Sequence, residues 1–280
     1  MLDFQLFRIK VFPSAQSTLF ESDKTPQQIL VETIRSLPET RSRQGLVWHI
    51  GNVTDVDESS IYFRVGRTSK STVEVYHDGR FIDEEFETSP YTHVLLETQI
   101  EVCAIARKSK LADTTSGIAR QLARLLNRSD SARAIRARFE VSMINDPEGF
   151  ISRLRDAVSV ETFWMTFTKP NAIDVDEDFI KPAERLLSEA DGNRGKTQIQ
   201  GKRMAVDVLE QLSRSAASTG DNAGASVRQD ENQPSIRISL RGNAVDLAQD
   251  SVDTDEEKLT LLQRLRDKYE EIREGLSKGK

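Results

Sequence analysis

The sequence predicts an α+β protein: a β-rich antiparallel N-terminal module, then a mixed α/β module, then a C-terminal amphipathic helix. Three observations carry this. The first hundred residues break into short β-branched and aromatic segments punctuated by turn residues. Residues 137–171 read strand, helix, strand. The run "DTDEEKLTLLQRLRDKYEEIREGL" places acids in a first helical turn, then Leu262, Leu265, Tyr269, Ile272 and Leu276 at three-and-four spacing.

Each element has a local reason. "FQLFRIKVF" alternates as a first strand, and Pro13 ends it. Thr25 is a fitting N-cap with Pro26 at the first helical position, followed by an apolar face of Ile29, Ile34 and Leu37. "LVWHIGNVTDVD", "SSIYFRVGR", "STVEVYHDGRFIDEEF" and "THVLLETQIEVCAIAR" are strands, and Asp78-Gly79 marks a hairpin. Strands that follow one another this closely predict an antiparallel meander. In "ARFEVSMINDPEGFISRLRDAVSVETFWMTFTKPN", Phe139, Val141 and Met143 alternate, Asp146 caps, and Pro147 opens a helix with Phe150, Leu154 and Ala157 on one face. Phe163, Met165 and Phe167 alternate again, and Lys169-Pro170-Asn171 stops the strand. This is a βαβ unit or a ferredoxin-like half. "DEDFIKPAERLLSEA" and "GKRMAVDVLEQLSRSAA" are helices, "STGDNAGASVRQDENQ" is loop or weak edge strand, and "SIRISLRG" is a half-buried strand. The expected division is 1–106, a β-rich domain; 107–138, a basic linking helix; 139–250, an α/β domain; and 251–280, the terminal helix. That helix is too short for an isolated coiled coil, so it packs on the second module or joins a dimer.

Composition bounds the function. No apolar run approaches the roughly 20 residues of a membrane span, so no membrane insertion is expected. The N-terminus, with Asp3 and a short apolar pattern, reads as a strand and not as a signal peptide. The one cysteine, Cys103, lies in the apolar strand "IEVCAIA", which makes it a small buried hydrophobe and the cytoplasm the simplest compartment.

Charge is distributed unevenly. Residues 107–138 carry nine Lys or Arg against Asp113 and Asp130, a net +7, which leaves −13 for the rest of a chain whose net charge is −6. Within it, "SGIARQLARLLNR" sets Ile118, Leu122, Leu125 and Leu126 on one helical face and Arg120, Arg124 and Arg128 in a row beside them. The row and its neighbours Lys108, Lys110, Arg133 and Arg136 are the candidate phosphate-contacting residues. A solvated or salt-bridged face is the structural alternative.

Other chemistry is sparsely signalled. His49, His77 and His93 fall in or beside strands, with no His-x-x-x-His or cysteine pair, so no metal site is expected. Neither a P-loop nor a dinucleotide-binding glycine pattern occurs, so no cofactor is expected. "GKTQIQGKR", with Lys196, Lys202 and Arg203, reads as a solvated helix start. The acidic runs at 83–87, 174–178 and 253–257 are candidates for a metal nuclease, although "DVDED" leads into a helix whose dipole alone favours acids there. No G-x-S-x-G surrounds a serine, so no catalytic residue is assigned. Trp48 and Trp164 sit in strand patterns and belong to the core.

With "THVLLETQIEVCAIARKS", the basic helix, and "FEVSMINDPEGFISRLRDA…TFTKPN" in this order, the chain resembles the RexA-type phage-exclusion proteins and the DNA-binding component of the Kiwa defence system. The resemblance is one of architecture and covers most of the chain. It implies a cytoplasmic, dimeric, double-stranded-DNA-binding protein of bacterial or prophage immunity. The acidic pI of about 5.4 departs from broad DNA coating. The expectation is therefore a non-catalytic nucleic-acid-binding protein of low sequence specificity, acting in antiviral defence or regulation, with a homodimer or a second defence protein as further partner. The alternatives are a metal-dependent nuclease, or an interaction module whose arginine face meets an acidic protein.

Overall fold

The first strand, β1 (Leu2–Phe12), is central because both of its faces are buried. Phe7, Ile9 and Val11 point to one core; Phe4 and Leu6 point to another. The computed structural model describes residues 1–12, 24–41, 45–168 and 180–275. Pro13, Lys169-Pro170-Asn171, the acidic run 174–178 and Leu276, each given a role above, lie outside the described residues.

After β1 come α1 (Pro26–Arg35), β2 (Glu39–Arg41), β3 (Val47–Asp57), β4 (Ser60–His77), β5 (Arg80–Thr88), β6 (Tyr91–Glu97) and β7 (Val102–Ala106). Thr25 and Gln28 close a full capping box on α1, with Pro26 in its first turn. Next are α2 (Thr115–Arg128), α3 (Asp130–Ala134), β8 (Arg138–Met143), α4 (Glu148–Arg155), β9 (Ser159–Thr168), α5 (Ile180–Glu189) and β10 (Arg194–Gln200). The chain continues with α6 (Val206–Ser218), β11 (Ala223–Arg228), β12 (Ile236–Ser239), β13 (Asp246–Gln249) and α7 (Asp255–Glu274). The fold is α+β. An antiparallel sheet runs β13-β1-β7-β6-β4-β3-β2, with β8 also on β1 and β5 on β4; a second, four-stranded sheet runs β10-β9-β11-β12. The run β2-β3-β4-β6-β7 is the meander that the sequence predicts.

The boundaries at 106 and 138 do not separate the two sheets. Both β8 and β13, from the second half of the chain, pair with β1. Helix α2 is therefore a cover on one face of the large sheet and not a connector between modules. The strand–helix–strand signal of residues 137–171 is real over 138–168, but its strands belong to different sheets, so it forms neither a βαβ unit nor a ferredoxin-like half. Two further local readings change. "RGKTQIQ" is the edge strand β10, where the Lys196 ammonium lies 4.8 Å from the Trp164 ring centre. "AGASVR" is a central strand, paired on both sides. Small residues suit it because Trp164 packs over the backbone; a Cβ on Gly224 would sit 2.6 Å from the indole. Trp164 is accordingly half-buried, whereas Trp48 is core.

Helix α7 packs on its own chain. Leu261, Leu262, Leu265, Tyr269 and Ile272 are buried in the core between the sheets, against α6 and over β3, β6 and β13. The acids of its first turn cap it: Thr254 and Glu257 form a capping box, and Glu257 also accepts from the Asp253 N–H. Arg266 then ties α7 to the ends of β3 and β6 through Asp57 and Glu97. Desolvation pushes the Asp57 carboxyl up. The hydrogen bonds from Ser60 Oγ, the Ser59 N–H and Arg266 outweigh it and hold the pKa at about 2. A carboxylate depressed on folding contributes stability that is full above its unfolded value of 3.8 and is lost as pH falls toward about 2. Asp57→Asn should therefore be less stable than the wild type at neutral pH, with the gap in urea-unfolding free energy closing across that acid window. A gap that stays constant through it rules out this linkage.

Cys103 is buried, and desolvation pushes its thiol well above the ordinary range, as befits a small core residue. Among the described residues no helix is long and apolar enough to cross a membrane.

Candidate nucleic-acid interface

Helix α2 is held by one face. Thr114 caps it by accepting from the Gly117 N–H at 3.1 Å, and Ile118, Ala119, Leu122, Leu125 and Leu126 are fully buried against the large sheet. Gly117 lets the preceding loop lie close: a Cβ there would meet that of Ala112 at 3.0 Å. With the apolar face fixed, Arg120, Arg124 and Arg128 are exposed in a row, each about 6 Å along the axis from the next.

The row faces a groove of about 960 Å³ between α2 and the ends of β2, β3 and β4. Five arginines line it: the row, plus Arg41 and Arg67. Asp113 is the one carboxylate of its lining among the described residues, and Trp48, Leu46 and Leu111 supply apolar surface. Arg128 Nη1 donates to Thr40 Oγ1 at 2.9 Å, and Arg124 donates to Gln121 Oε1 at 3.4 Å. Arg67 Nη2 donates to the Lys110 carbonyl at 2.9 Å, which pins the loop before α2 to the sheet. Among the described residues no carboxylate lies within 4.0 Å of the three row guanidiniums. The positive end of the α2 dipole opens at the same groove and adds to its field.

The seven predicted residues divide. Arg120, Arg124 and Arg128 converge on the groove; Lys108, Lys110, Arg133 and Arg136 are exposed but are not in its lining. Lys108 bears on His93 in β6 through its charge. Burial first, then the charge of Arg64 and more weakly that of Lys108, hold His93 below its ordinary pKa. Lys110 contributes its carbonyl to Arg67. Arg133 lies near Asp130 at 3.8 Å on α3, and Arg136 follows α3 at a positive φ of 52°. The sequence reading missed Arg41 and Arg67. Arg67 follows from sheet register, since Thr40 opposes Trp48 and Trp48 opposes Arg67 on the face that α2 covers; Arg41, opposite Val47, ends β2 at the rim of the groove. No local pattern announces that register.

The acidic runs go elsewhere. In 83–87, Asp83, Glu85 and Glu87 alternate with Glu84 across the two faces of β5, and 253–257 caps α7. Among the described residues no three His, Cys, Asp or Glu gather as a metal site. His49 meets Thr68 at 3.0 Å, and His77 meets Asp78 at 3.3 Å.

Fold and groove together define an α+β protein with an arginine-lined cleft on one sheet face. No protein-family model matches the chain, and no curated protein matches it.

Proposed function

We propose that the groove beside α2 binds the phosphate backbone of nucleic acid, double-stranded DNA in the first instance, without cleaving it. One observation carries this: five arginines share one open groove with a single carboxylate, and the α2 row has no carboxylate partner among the described residues. Exposed guanidiniums on a rigid helix gain from polyanions because each neutralised phosphate releases condensed counterion. The row's spacing of about 6 Å is close to that of successive phosphates on a strand. Base readout needs side chains in a groove of the duplex, and the backbone contacts assigned here carry no sequence information, so low sequence specificity is expected. The resemblance to phage-exclusion and Kiwa-type proteins adds a role in antiviral defence or regulation to the same reading.

The test is binding of a short duplex by fluorescence anisotropy across salt concentrations, with and without Mg²⁺, followed by gels of the DNA. The expected result is binding whose logarithm falls linearly with log salt, at roughly −0.9 per contacted phosphate, with intact DNA throughout. Cleavage would turn the assignment to a nuclease. An absence of binding at about 50 mM salt, where surface charges are weakly screened, would turn it to a module for an acidic protein.

A further inference from the structure

The hairpin of β4 and β5 leaves the body of the protein as a two-stranded arm. Its nine residue pairs run from Ser69–Thr88 to His77–Arg80, closed by Asp78-Gly79 with positive φ at both positions. At about 3.3 Å per residue the arm is roughly 30 Å long. Every residue of β5 is exposed. A two-stranded ribbon without a third strand is marginal in water, and this one also presents Tyr76 and Phe81 to solvent, 66% and 82% exposed, with ring centres 5.1 Å apart near the tip.

Charge excludes the obvious use of such an arm. Residues 69–88 hold two cations, Lys70 and Arg80, against six carboxylates, a net −4. An arm so charged is repelled by phosphate. On the face that carries the aromatic pair, Glu74 lies opposite Asp83 next to the rings, and Glu85 and Glu87 follow toward the base, where Lys70 pairs with Glu85 at 3.2 Å. The groove lining, five arginines and Asp113, is net +4 with an apolar floor. Carboxylates flanking two aromatic rings match guanidiniums flanking Trp48 and Leu111, since arginine pairs with the former and stacks on the latter. The arm cannot serve its own groove. Arg67, which lines the groove, is two residues from the arm's first pair, and an unbroken ladder carries the tip roughly 30 Å away.

We propose that the tip of this arm occupies the arginine groove of a second copy of the chain, reciprocally, in a closed two-fold pair, and that nucleic acid and the arm compete for the groove. The reciprocal arrangement closes; one-way insertion would grow into chains. The competition rests on the phosphate-binding reading, whereas the pairing itself does not. Self-association then screens the groove until a polyanion displaces the arm.

The experiment uses the full chain and two variants whose fold is checked by circular dichroism. One reverses the arm (E74K/D83K/E85K/E87K), and the other reverses the groove (R120E/R124E/R128E), whose lining then holds two arginines against four carboxylates. Light scattering at about 50 mM salt should give two chains for the wild type and one for each variant alone, with the wild-type pair dissociating as salt rises. An equimolar mixture of the variants should restore two chains, because each arm then meets a groove of opposite sign. A monomeric wild type, a variant that still pairs alone, a mixture that stays monomeric, or masses that grow beyond two chains would each overturn the proposal. Duplex DNA should release the wild-type pair into single chains. If pairing behaves as stated and no variant binds DNA, the phosphate reading fails while the arm assignment stands.

Discussion

Replacing Arg120, Arg124 and Arg128 together by glutamine should leave the protein folded and weaken DNA binding about a hundredfold near physiological salt. The size follows from counterion release. Three lost phosphate contacts flatten the slope of log affinity against log salt by roughly two to three units, which amounts to about two decades of affinity at about 0.15 M. The fold should tolerate the change, because the three side chains are exposed and have no carboxylate partners among the described residues; such substitutions usually cost less than ~0.5 kcal/mol each. Arg128 is the member most tied to the body, through Thr40, and glutamine keeps a donor for that contact. Adding Arg41→Gln and Arg67→Gln should lower affinity further, with Arg67→Gln also freeing the Lys110 carbonyl. Lys108→Gln, outside the groove lining, should change it little. A triple variant that stays folded and binds with unchanged affinity and slope makes the row a solvated face.

Asp221→Asn should destabilise the protein by about 3–5 kcal/mol, the usual cost of leaving one buried charge without its partner. Lys10 projects from β1 toward the second sheet. Its ammonium lies 2.8 Å from Asp221 Oδ2, and the two side chains are only 2% and 5% exposed. Asp221, in the turn between α6 and β11, also accepts from Thr168 Oγ1 at 2.7 Å and Thr219 Oγ1 at 3.0 Å, so the pair joins the large sheet to the small one. Burial lowers the Lys10 pKa from its ordinary value, and Asp221 opposes that shift. Adding Lys10→Met to Asp221→Asn should recover most of the loss. The methionine removes the orphaned charge, and the asparagine keeps an oxygen for one threonine hydroxyl while its NH2 donates to the other. Urea unfolding of the wild type, the single variant and the double variant measures both steps. A single variant within about 1 kcal/mol of wild type would show that the pair does not hold the sheets together.

The elements with strong local signals were legible without coordinates. Thr25 and Pro26 start α1, Asp78-Gly79 turns the β4–β5 hairpin, and the acids before Leu261 open α7, because caps, turns and dipole effects act within a few residues. The burial of Ile118, Leu122, Leu125 and Leu126, and hence the outward arginine row, also follows from helical period alone. Weak or reversed signals marked places where packing overrode pattern. "AGASVR", in a polar and small-residue stretch, reads as loop or weak edge strand, and it is a central strand whose small residues make room for Trp164.

What the sequence by itself determined is the α+β class, the position of most elements, and a rigid helix presenting three arginines. What the tertiary structure decided is which strands share a sheet and which side chains share a groove. β1 recruits β8 and β13 from the far half of the chain, so domain limits read along the sequence do not describe the sheets. Arg67 reaches the α2 row through strand register with Trp48 and Thr40, which is fixed by side chains packed across the sheet. The physical reason is range. Caps and periodicity are set by neighbours a turn away, whereas pairing and register depend on the burial of residues far apart in the chain.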